Sequence, residues 1–270
     1  MPATKAMPKE LLPVIDKPII QYAVEEALAA GITDLIFVTG RTKRAIEDHF
    51  DANPELGRAL RDKGMEEVAD MVRNTVPEGV RCIFVRQSET LGLGHAVLCA
   101  EPAIGREPFV VLLADDLMRG NLPTRQLVEV YERDPGMILS VMEVLAEEAQ
   151  KYGIVEPSGD GRVAGLVEKP VPGTEPSRLA SIGRYVLEPE IFDILRTQPP
   201  GKGGEIQLAG AINTRAKQVK IRAVPLTCER YDCGSKLGYL EAIVNFALAH
   251  QNYAEPFRTI ISEKLTANRD

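Results

Sequence analysis

The stretch Phe109-Val110-Val111-Leu112-Leu113-Ala114-Asp115-Asp116 decides the fold class. An unbroken apolar run that ends in two carboxylates is typical of a buried strand in an α/β sheet. We expect residues 109–113 to form the most buried strand of the chain. Ligands of open α/β sheets bind outside the carboxyl ends of the strands, so Asp115 is a candidate ligand for Mg²⁺. The residues alone equally allow an aspartate that begins a turn or caps the next helix.

Strand and helix patterns alternate on both sides of this run. Short apolar runs predict strands at residues 35–39, 80–86, 137–144 and 182–187, and a hairpin at 152–170. Helical spacing and capping signals predict helices at residues 18–31, 54–74, 95–100, 123–132, 189–196, 206–216 and 237–250, one from a Thr42 cap to residue 50, and one near the C-terminus. This alternation predicts a single α/β domain over residues 1–270, with a Rossmann-like, doubly wound mixed sheet flanked by helices.

Bulk composition excludes several classes of protein. The chain has 270 residues, a formal net charge of −7 and 44% hydrophobic residues, which argues against disorder and against non-specific binding of nucleic acid. No apolar run approaches the roughly 18 residues of a membrane span. The four cysteines match no zinc-site spacing, and we expect reduced thiols in a cytoplasmic protein without membrane or nucleic-acid partners.

Three more features carry charge that a phosphate ligand or its metal could use. Lys9 and Lys17 lie in a proline-stiffened loop, where each could hold a phosphate or simply be solvated. Asp232 precedes the predicted start of a helix, where it could be a second magnesium ligand or only the helix cap. Glu168 and Lys169 lie at the end of a predicted strand, where they could bind one ligand together or form an ordinary surface pair.

The histidine of the Gly-Leu-Gly-His-Ala loop has no suitable nucleophile in the sequence pattern around it. We therefore interpret His95 as structural. The loop also lacks the spacings of known phosphate-binding loops, although its glycines allow a close approach to a flat base.

Taken together and in order, these motifs resemble the bacterial UTP–glucose-1-phosphate uridylyltransferases, within the sugar-1-phosphate nucleotidyltransferases. The series runs P-K-E-x-L-P-V-x-D-K-P, V-R-Q, G-L-G-H-A, A-D-D, Y-G-I-V, V-E-K-P, G-R-Y-V, G-E-I-Q-L and D-C-G-x-K-L-G-Y. Each motif is weak alone, but the ordered set spans nearly the whole chain. The resemblance implies transfer of a uridylyl group from UTP to glucose 1-phosphate, giving UDP-glucose and pyrophosphate without a covalent intermediate.

The same resemblance assigns roles to individual residues. It implies that Lys9, Asp115 and Lys169 are catalytic, with Lys9 on the nucleotide phosphates and Lys169 on the sugar phosphate. It implies that the substrate-binding residues are Gln87 and Gly92 for uracil, and Gly153, Glu168 and Gly183 for glucose. It also implies Mg²⁺ on Asp115 and Asp232, a sugar-binding half from about residue 145, a homodimer or homotetramer, and Glu205 and Gln207 near the sugar or at a dimer contact.

The N-terminus departs from the family pattern. Members begin with a strand and a G-x-G-T-R loop before L-P-A-T-K-A, and here Met1 occupies the position of that leucine. The loss would leave an apolar slot and unpaired strand edges. An internal start codon or a truncated product would explain it, and we expect low activity from these 270 residues.

Two alternatives remain open at this point. A related nucleotidyltransferase that uses dTTP shares the lysine loop and the V-E-K-P motif. A non-catalytic protein that binds a sugar nucleotide would need only the sugar half.

Overall fold

A mixed sheet of six strands forms the centre of the computed structural model, which describes residues 5–159 and 161–267. In chain order its strands are β5 (Phe109–Leu112), β7 (Met137–Glu143), β8 (Gly153–Pro157), β9 (Val163–Glu168), β10 (Leu179–Leu187) and β11 (Ile221–Pro225). Their spatial order is β11-β7-β10-β8-β9, with β5 also paired to β10. Met1 and Pro2, where the family match begins, and Asp160 in the predicted hairpin turn lie outside the described residues.

Strand β10 gives the sheet its mixed character. It runs antiparallel to β5, β7 and β8, whereas β11 runs parallel to β7, and β8 and β9 form the predicted hairpin. The predicted mixed α/β sheet is therefore confirmed, with fewer parallel pairs than the alternation of strands and helices suggests.

The helices lie close to the predicted positions in the chain. They are α1 (Ile19–Ala29), α2 (Arg44–Phe50), α3 (Pro54–Asp62), α4 (Glu66–Arg73), α5 (Leu93–Cys99), α6 (Glu101–Ile104), α7 (Pro123–Arg133), α8 (Glu190–Thr197), α9 (Leu208–Ala216), α10 (Lys236–Ala249) and α11 (Ala254–Ala267). Gly31, with φ of 83°, follows the end of α1 as predicted. The predicted cap at Thr42 is wrong, because Lys43 occupies that position and no side chain caps α2.

Two strands stand apart from the main sheet. Strands β3 (Asp34–Thr39) and β4 (Arg81–Arg86) pair in parallel, with Phe37 stacked on Phe84 at a ring-centroid distance of 5.0 Å. Within the described ranges, β3 pairs only with β4, and β5 pairs only with β10. A cavity of about 740 Å³ lies between these elements, with Val24 of α1, Phe37 of β3 and Val111 of β5 in its apolar wall.

This cavity corrects one prediction about burial. Residues 109–112 of β5 are only partly buried, because the strand borders the cavity. Strands β7 and β10 are more enclosed: Met137, Ile138 and Leu139 of β7 have no exposed surface, and all residues of β10 after Leu179 are buried. The run of apolar residues correctly predicts a strand, but it does not reveal an open edge.

Short strand pairs bring distant charged residues to one edge of the fold. Strands β1 (Pro13–Val14) and β2 (Lys17–Pro18) form a small hairpin before α1. Strands β6 (Asp116–Arg119) and β12 (Glu229–Asp232) pair antiparallel, and their register sets Asp116 opposite Asp232. Among the described residues, no helix has both the length and the apolarity to cross a membrane.

Candidate active site

Two carboxylates and an ammonium group meet above Gly234. A Cβ atom added to Gly234 would lie 3.0 Å from Oδ1 of Asp232, 3.2 Å from Oδ2 of Asp115 and 3.9 Å from Nζ of Lys9. The β6–β12 pairing and a hydrogen bond of 2.9 Å from Cys233 N to Asp115 O hold the two loops together. The absent side chain of Gly234 leaves room for a small ion between the carboxylates.

This donor set suits Mg²⁺. Magnesium binds through one or two carboxylates and keeps its other positions for water and substrate phosphates. Among the described residues, no group of three or more His, Cys, Asp or Glu side chains is arranged for a metal, so any ion here relies on these two aspartates and on other ligands.

Asp232 is not the cap of the following helix. Ser235 caps α10, and its hydroxyl accepts a hydrogen bond of 3.0 Å from Gly238 N. Oδ1 of Asp232 accepts from Gly234 N at 3.0 Å, which fixes the carboxylate against the backbone and leaves Oδ2 for a ligand. The cap alternative left open by the sequence is therefore wrong.

Lys9 pairs directly with Asp115. Its Nζ lies 2.5 Å from Oδ2 of Asp115, and the two side chains are 39% and 31% exposed. Burial lowers the pKa of Lys9, but the hydrogen bond and the charge of Asp115 outweigh it, and the pKa of Lys9 is raised overall. Lys17 instead donates to Glu25 at 2.7 Å, so of the two candidate lysines only Lys9 faces the carboxylates.

The neighbouring aspartate, Asp116, has a structural position. It is buried, its Oδ1 accepts from Nε of Arg230 at 2.9 Å, and its Oδ2 accepts from Gly183 N at 3.1 Å. A Cβ on Gly183 would lie 2.6 Å from Oδ2 of Asp116, so only glycine fits there. The structure sets Gly183 against Asp116, and the predicted role of Gly183 in the glucose site stays a prediction.

A second cavity, of about 430 Å³, brings the predicted sugar-binding residues together. We call it the sugar-side cavity. Its wall is formed by Leu93, Gly153, Leu166, Glu168, Lys169, Ser181, Tyr185, Glu205, Gln207, Leu208, Ala209 and Ile212. The assignment of Gly153, Glu168 and Lys169 to one site therefore agrees with the geometry. Leu93 precedes residue 145, so the proposed sugar-binding half does not enclose the cavity alone.

Backbone geometry explains how neighbouring residues share this cavity. Lys169 has a φ of 45°, which few non-glycine residues adopt, and its N–H donates to Tyr152 O at 2.9 Å. The turn directs both Glu168 and Lys169 to the cavity, although consecutive strand residues point to opposite faces. Burial raises the pKa of the Glu168 carboxyl. The positive charge of Lys169 opposes this rise, and the negative charge of Glu205 adds to it.

Sequence reasoning missed Ser181 and Tyr185 in this wall. The two residues lie four positions apart on β10, a spacing that period-two alternation assigns to one face, so the signal was present. Burial raises the pKa of Tyr185 to about 12, and its phenol therefore stays protonated at neutral pH and can donate a hydrogen bond.

The predicted uracil-binding residues touch each other beside the sugar-side cavity. Nε2 of Gln87 donates to Gly92 O at 3.1 Å, and a Cβ on Gly92 would lie 2.9 Å from Cβ of Glu205. Neither Gln87 nor Gly92 lines that cavity. His95 Nδ1 lies 3.1 Å from Gln87 Nε2, which agrees with a structural histidine that orients the glutamine.

A family model described as nucleotidyl transferase matches residues 1–247. The chain belongs to the nucleotidyl transferase family. Members of this family generally use a divalent metal.

Individual members of the nucleotidyl transferase family are similar over nearly the full length. The UTP–glucose-1-phosphate uridylyltransferase of Bacillus subtilis (strain 168) is 49% identical over 253 residues, which is 92% of this chain and 86% of the relative. A UTP-bound UGPase from Acinetobacter baumannii has a TM-score of 0.90 and 37% identity over 97% of this chain and 94% of its own. A UDP-glucose pyrophosphorylase complexed with UDP-glucose has a TM-score of 0.82 and 42% identity over 93% of this chain and 94% of its own.

These similarities confirm the resemblance to the bacterial UTP–glucose-1-phosphate uridylyltransferases and the interpretation of the chain as a nucleotidyltransferase. The roles of individual residues, the start of the protein and the oligomeric state stay predictions.

Proposed function

We propose that the chain transfers a uridylyl group from UTP to glucose 1-phosphate and releases pyrophosphate, forming UDP-glucose. The observation that carries this proposal is the meeting of Asp115, Asp232 and Lys9 above Gly234, in a chain whose sugar-side cavity is lined by Glu168 and Lys169. Relatives named UTP–glucose-1-phosphate uridylyltransferase support the choice of substrates.

Each substrate has a set of candidate contacts. We assign the uracil to Gln87 and Gly92, and the nucleotide phosphates to Lys9. We assign the glucose hydroxyls to Gly153 and Glu168, because a carboxylate accepts from sugar hydroxyls and a glycine leaves room for the ring. Lys169 is assigned to the sugar phosphate. Gly183 contributes indirectly, by admitting the Asp116 carboxylate to its place.

Asp115 and Asp232 would hold Mg²⁺. When bound, the ion supplies positive charge to phosphate oxygens. The Lys9–Asp115 ion pair is compatible with this role, because the ammonium can move to a phosphate when substrates arrive and free Oδ2 of Asp115.

The proposed chemistry is one in-line displacement. A phosphate oxygen of glucose 1-phosphate forms a bond to the α-phosphorus of UTP as the bond from that phosphorus to the β-phosphate oxygen breaks. Pyrophosphate leaves with the electron pair. The attacking oxygen is already ionised, so no general base is needed, and Lys9 and Lys169 reduce the repulsion between two anions.

A substrate-exchange assay tests the proposal. The chain is incubated with glucose 1-phosphate, magnesium chloride and either UTP or dTTP, and pyrophosphate and the sugar nucleotide are measured. We expect product from UTP in preference to dTTP, and none without glucose 1-phosphate. Preference for dTTP would identify a different nucleotidyltransferase. UDP-glucose binding without turnover, both in this chain and in one extended by an N-terminal strand and G-x-G-T-R loop, would identify a non-catalytic binding protein.

We also propose self-association through the C-terminal helices. Apolar side chains of α10 and α11 are exposed, namely Leu237, Leu240, Val244, Ile260 and Leu265. Burying such side chains between subunits removes apolar surface from water. Light scattering of the unchanged chain and of Ile260→Glu tests this. A dimer or tetramer that dissociates on substitution supports the proposal, and a monomeric unchanged chain refutes it.

A further inference from the structure

The turn that carries Asp115 is held from beneath by one buried side chain. Asp116 N donates to Leu113 O at 3.2 Å and closes the turn. Nη1 of Arg184 donates to Leu113 O at 3.0 Å, and Nη2 donates to Asp116 O at 2.9 Å. One guanidinium therefore bridges the first and last carbonyls of the turn, with Asp115 between them.

The guanidinium of Arg184 is buried and fully hydrogen-bonded. Its side chain is 1% exposed and that of Glu26 is 2% exposed. Nε and Nη2 donate to the two carboxylate oxygens of Glu26 at 2.9 and 2.7 Å, and Nη1 also donates to Gly183 O at 2.9 Å. All five N–H donors of the guanidinium are thus in use, which fixes both its plane and its position.

Glu26 is itself anchored. Its Oε1 accepts from the backbone N–H of Thr124 at 3.1 Å and from the Thr124 hydroxyl at 2.5 Å. Glu26 belongs to α1 and Thr124 to α7, so the guanidinium ties two helices and strand β10 to the turn. Movement of Asp115 would require movement of this whole network.

Stability alone is a poor explanation for such a pair. A buried ion pair is often no more stabilising than apolar residues of similar volume, because both charges lose their hydration. What apolar residues cannot do is hold two carbonyl oxygens at fixed positions. The forked geometry of arginine serves that purpose, and the single nitrogen of lysine does not.

We propose that Arg184 is a positioning residue that sets the place of the Asp115 carboxylate relative to Asp232, through the backbone of residues 113–116. The inference rests on the proposed function, in which Asp115 and Asp232 hold a divalent metal ion. Arg184 itself touches neither substrate nor metal.

The test substitutes Arg184→Lys and measures Mn²⁺ binding by electron paramagnetic resonance in the presence of UDP-glucose. Outer contacts that orient metal ligands are typically worth about 10-fold or more in affinity, so we expect the Mn²⁺ dissociation constant to rise by about 10-fold. We also expect kcat to fall while KM for glucose 1-phosphate stays within about twofold, because Glu168 and Lys169 are untouched.

Phe192→Leu is the matched control for loss of stability. Phe192 is fully buried and stacks on Phe109 at the start of β5, but its side chain makes none of the hydrogen bonds that hold the turn, so the substitution lowers Tm while leaving those bonds in place. Each variant is measured at the same interval below its own Tm. A Mn²⁺ dissociation constant that shifts equally in Arg184→Lys and Phe192→Leu, or in neither, overturns the proposal.

Two further measurements cover the case in which Arg184→Lys does not fold. Glu26→Gln keeps the size of the anchor and removes its charge, and we expect a smaller shift of Mn²⁺ affinity in the same direction. Hydrogen exchange on the unchanged chain needs no variant. Slow exchange of the Asp116 amide, comparable with β7, supports the proposal, and exchange as fast as in exposed loops overturns it. Absence of turnover in the unchanged chain would count against the proposed function only, because Mn²⁺ binding and exchange are independent of it.

Discussion

Nζ of Lys9 lies 2.5 Å from Oδ2 of Asp115, an ion pair between residues 106 positions apart in the chain. The pair joins the two groups that the proposed reaction needs to separate, since Lys9 would meet a phosphate and Asp115 would meet a metal. In the proposed reaction, substrate arrival would replace the Lys9–Asp115 ion pair by a contact of Lys9 with a phosphate and a contact of Asp115 with the metal ion.

Loss of the Lys9 charge should reduce turnover far more than stability. We expect Lys9→Ala to lower kcat by about 10²-fold or more, because a positioned charge on a developing oxyanion is worth that much. The partly exposed ion pair contributes about 1 kcal/mol at most, so the free energy of unfolding should change little.

Radiolabelled UTP supplies the sensitivity for this measurement, and Lys17→Ala is the control. Lys17 lies in the same proline-rich stretch but pairs with Glu25, so its removal should leave kcat nearly unchanged. Equal losses in the two variants would refute a special role for Lys9.

Adjacent aspartates should respond in opposite ways to the same substitution. Asp115→Asn should weaken Mn²⁺ binding by about 10-fold and leave stability almost intact. Asp116→Asn should cost about 3 kcal/mol of unfolding free energy, because Arg230 would keep a buried charge without its partner. Urea unfolding and Mn²⁺ titration of both variants check this. Similar behaviour of the two variants would contradict the division of roles.

The different roles of Asp115 and Asp116 show what the sequence can predict and what it cannot. The apolar run correctly predicts a strand that ends at two aspartates, and the motif series correctly predicts the family. Which aspartate faces solvent depends on Arg230 and Lys9, which are 114 and 106 positions away and reach the strand end only through tertiary folding. Local patterns hold no information on such contacts.

The same limit applies to Gly183 and explains the error about burial at residues 109–113. Gly183 matches a motif, but its need for glycine comes from the approach of Asp116, which no local pattern reports. An apolar run likewise predicts a strand without telling which neighbours pair with it.

Filling the space above Gly234 should weaken metal binding without changing the fold. Gly234→Ala adds a Cβ at 3.2 Å from Oδ2 of Asp115 and 3.0 Å from Oδ1 of Asp232, inside the space that an ion would use. The backbone of Gly234 is not among the positive-φ glycines, so alanine causes no backbone strain.

We expect Gly234→Ala to raise the Mn²⁺ dissociation constant by about 10-fold with an unchanged fold by circular dichroism. Gly40→Ala is the matched control, because a Cβ there meets open space at an ordinary φ. Removal of divalent ions with a chelator should abolish turnover in both. Unchanged Mn²⁺ affinity in Gly234→Ala would contradict a metal site between the two carboxylates.

Acid should weaken binding of glucose 1-phosphate through Glu168. Burial raises the pKa of this carboxyl, so as pH falls it binds a proton before an ordinary glutamate does and loses the charge that accepts from sugar hydroxyls. KM for glucose 1-phosphate should therefore begin to rise at a higher pH than an exposed glutamate would give.

Glu168→Gln separates this effect from titration of the substrate phosphate, whose second pKa is about 6. The variant should show a KM raised by about 10-fold at neutral pH and a flatter acid limb that reports the phosphate alone. An acid limb identical in the variant and the unchanged chain would show that Glu168 does not titrate with sugar binding.

The cavity between β3 and β5 predicts slow turnover by the 270-residue chain. Among the residues that the structure describes, β3 and β5 each border it with an unpaired edge, and Lys9 and Asp115 also line it. A strand inserted there would fix β3 and β5 relative to each other, and a following G-x-G-T-R loop would bring backbone N–H groups to the nucleotide phosphates. We expect an N-terminal extension that supplies this strand and loop to raise kcat by about 10²-fold and also to raise Tm.

An extension with the same strand and a scrambled loop is the control, and it should raise Tm without the gain in kcat, because the strand closes the cavity while only the loop meets the phosphates. Equal kcat in the extended and the 270-residue chains would show that Lys9, Asp115 and Asp232 suffice for the reaction.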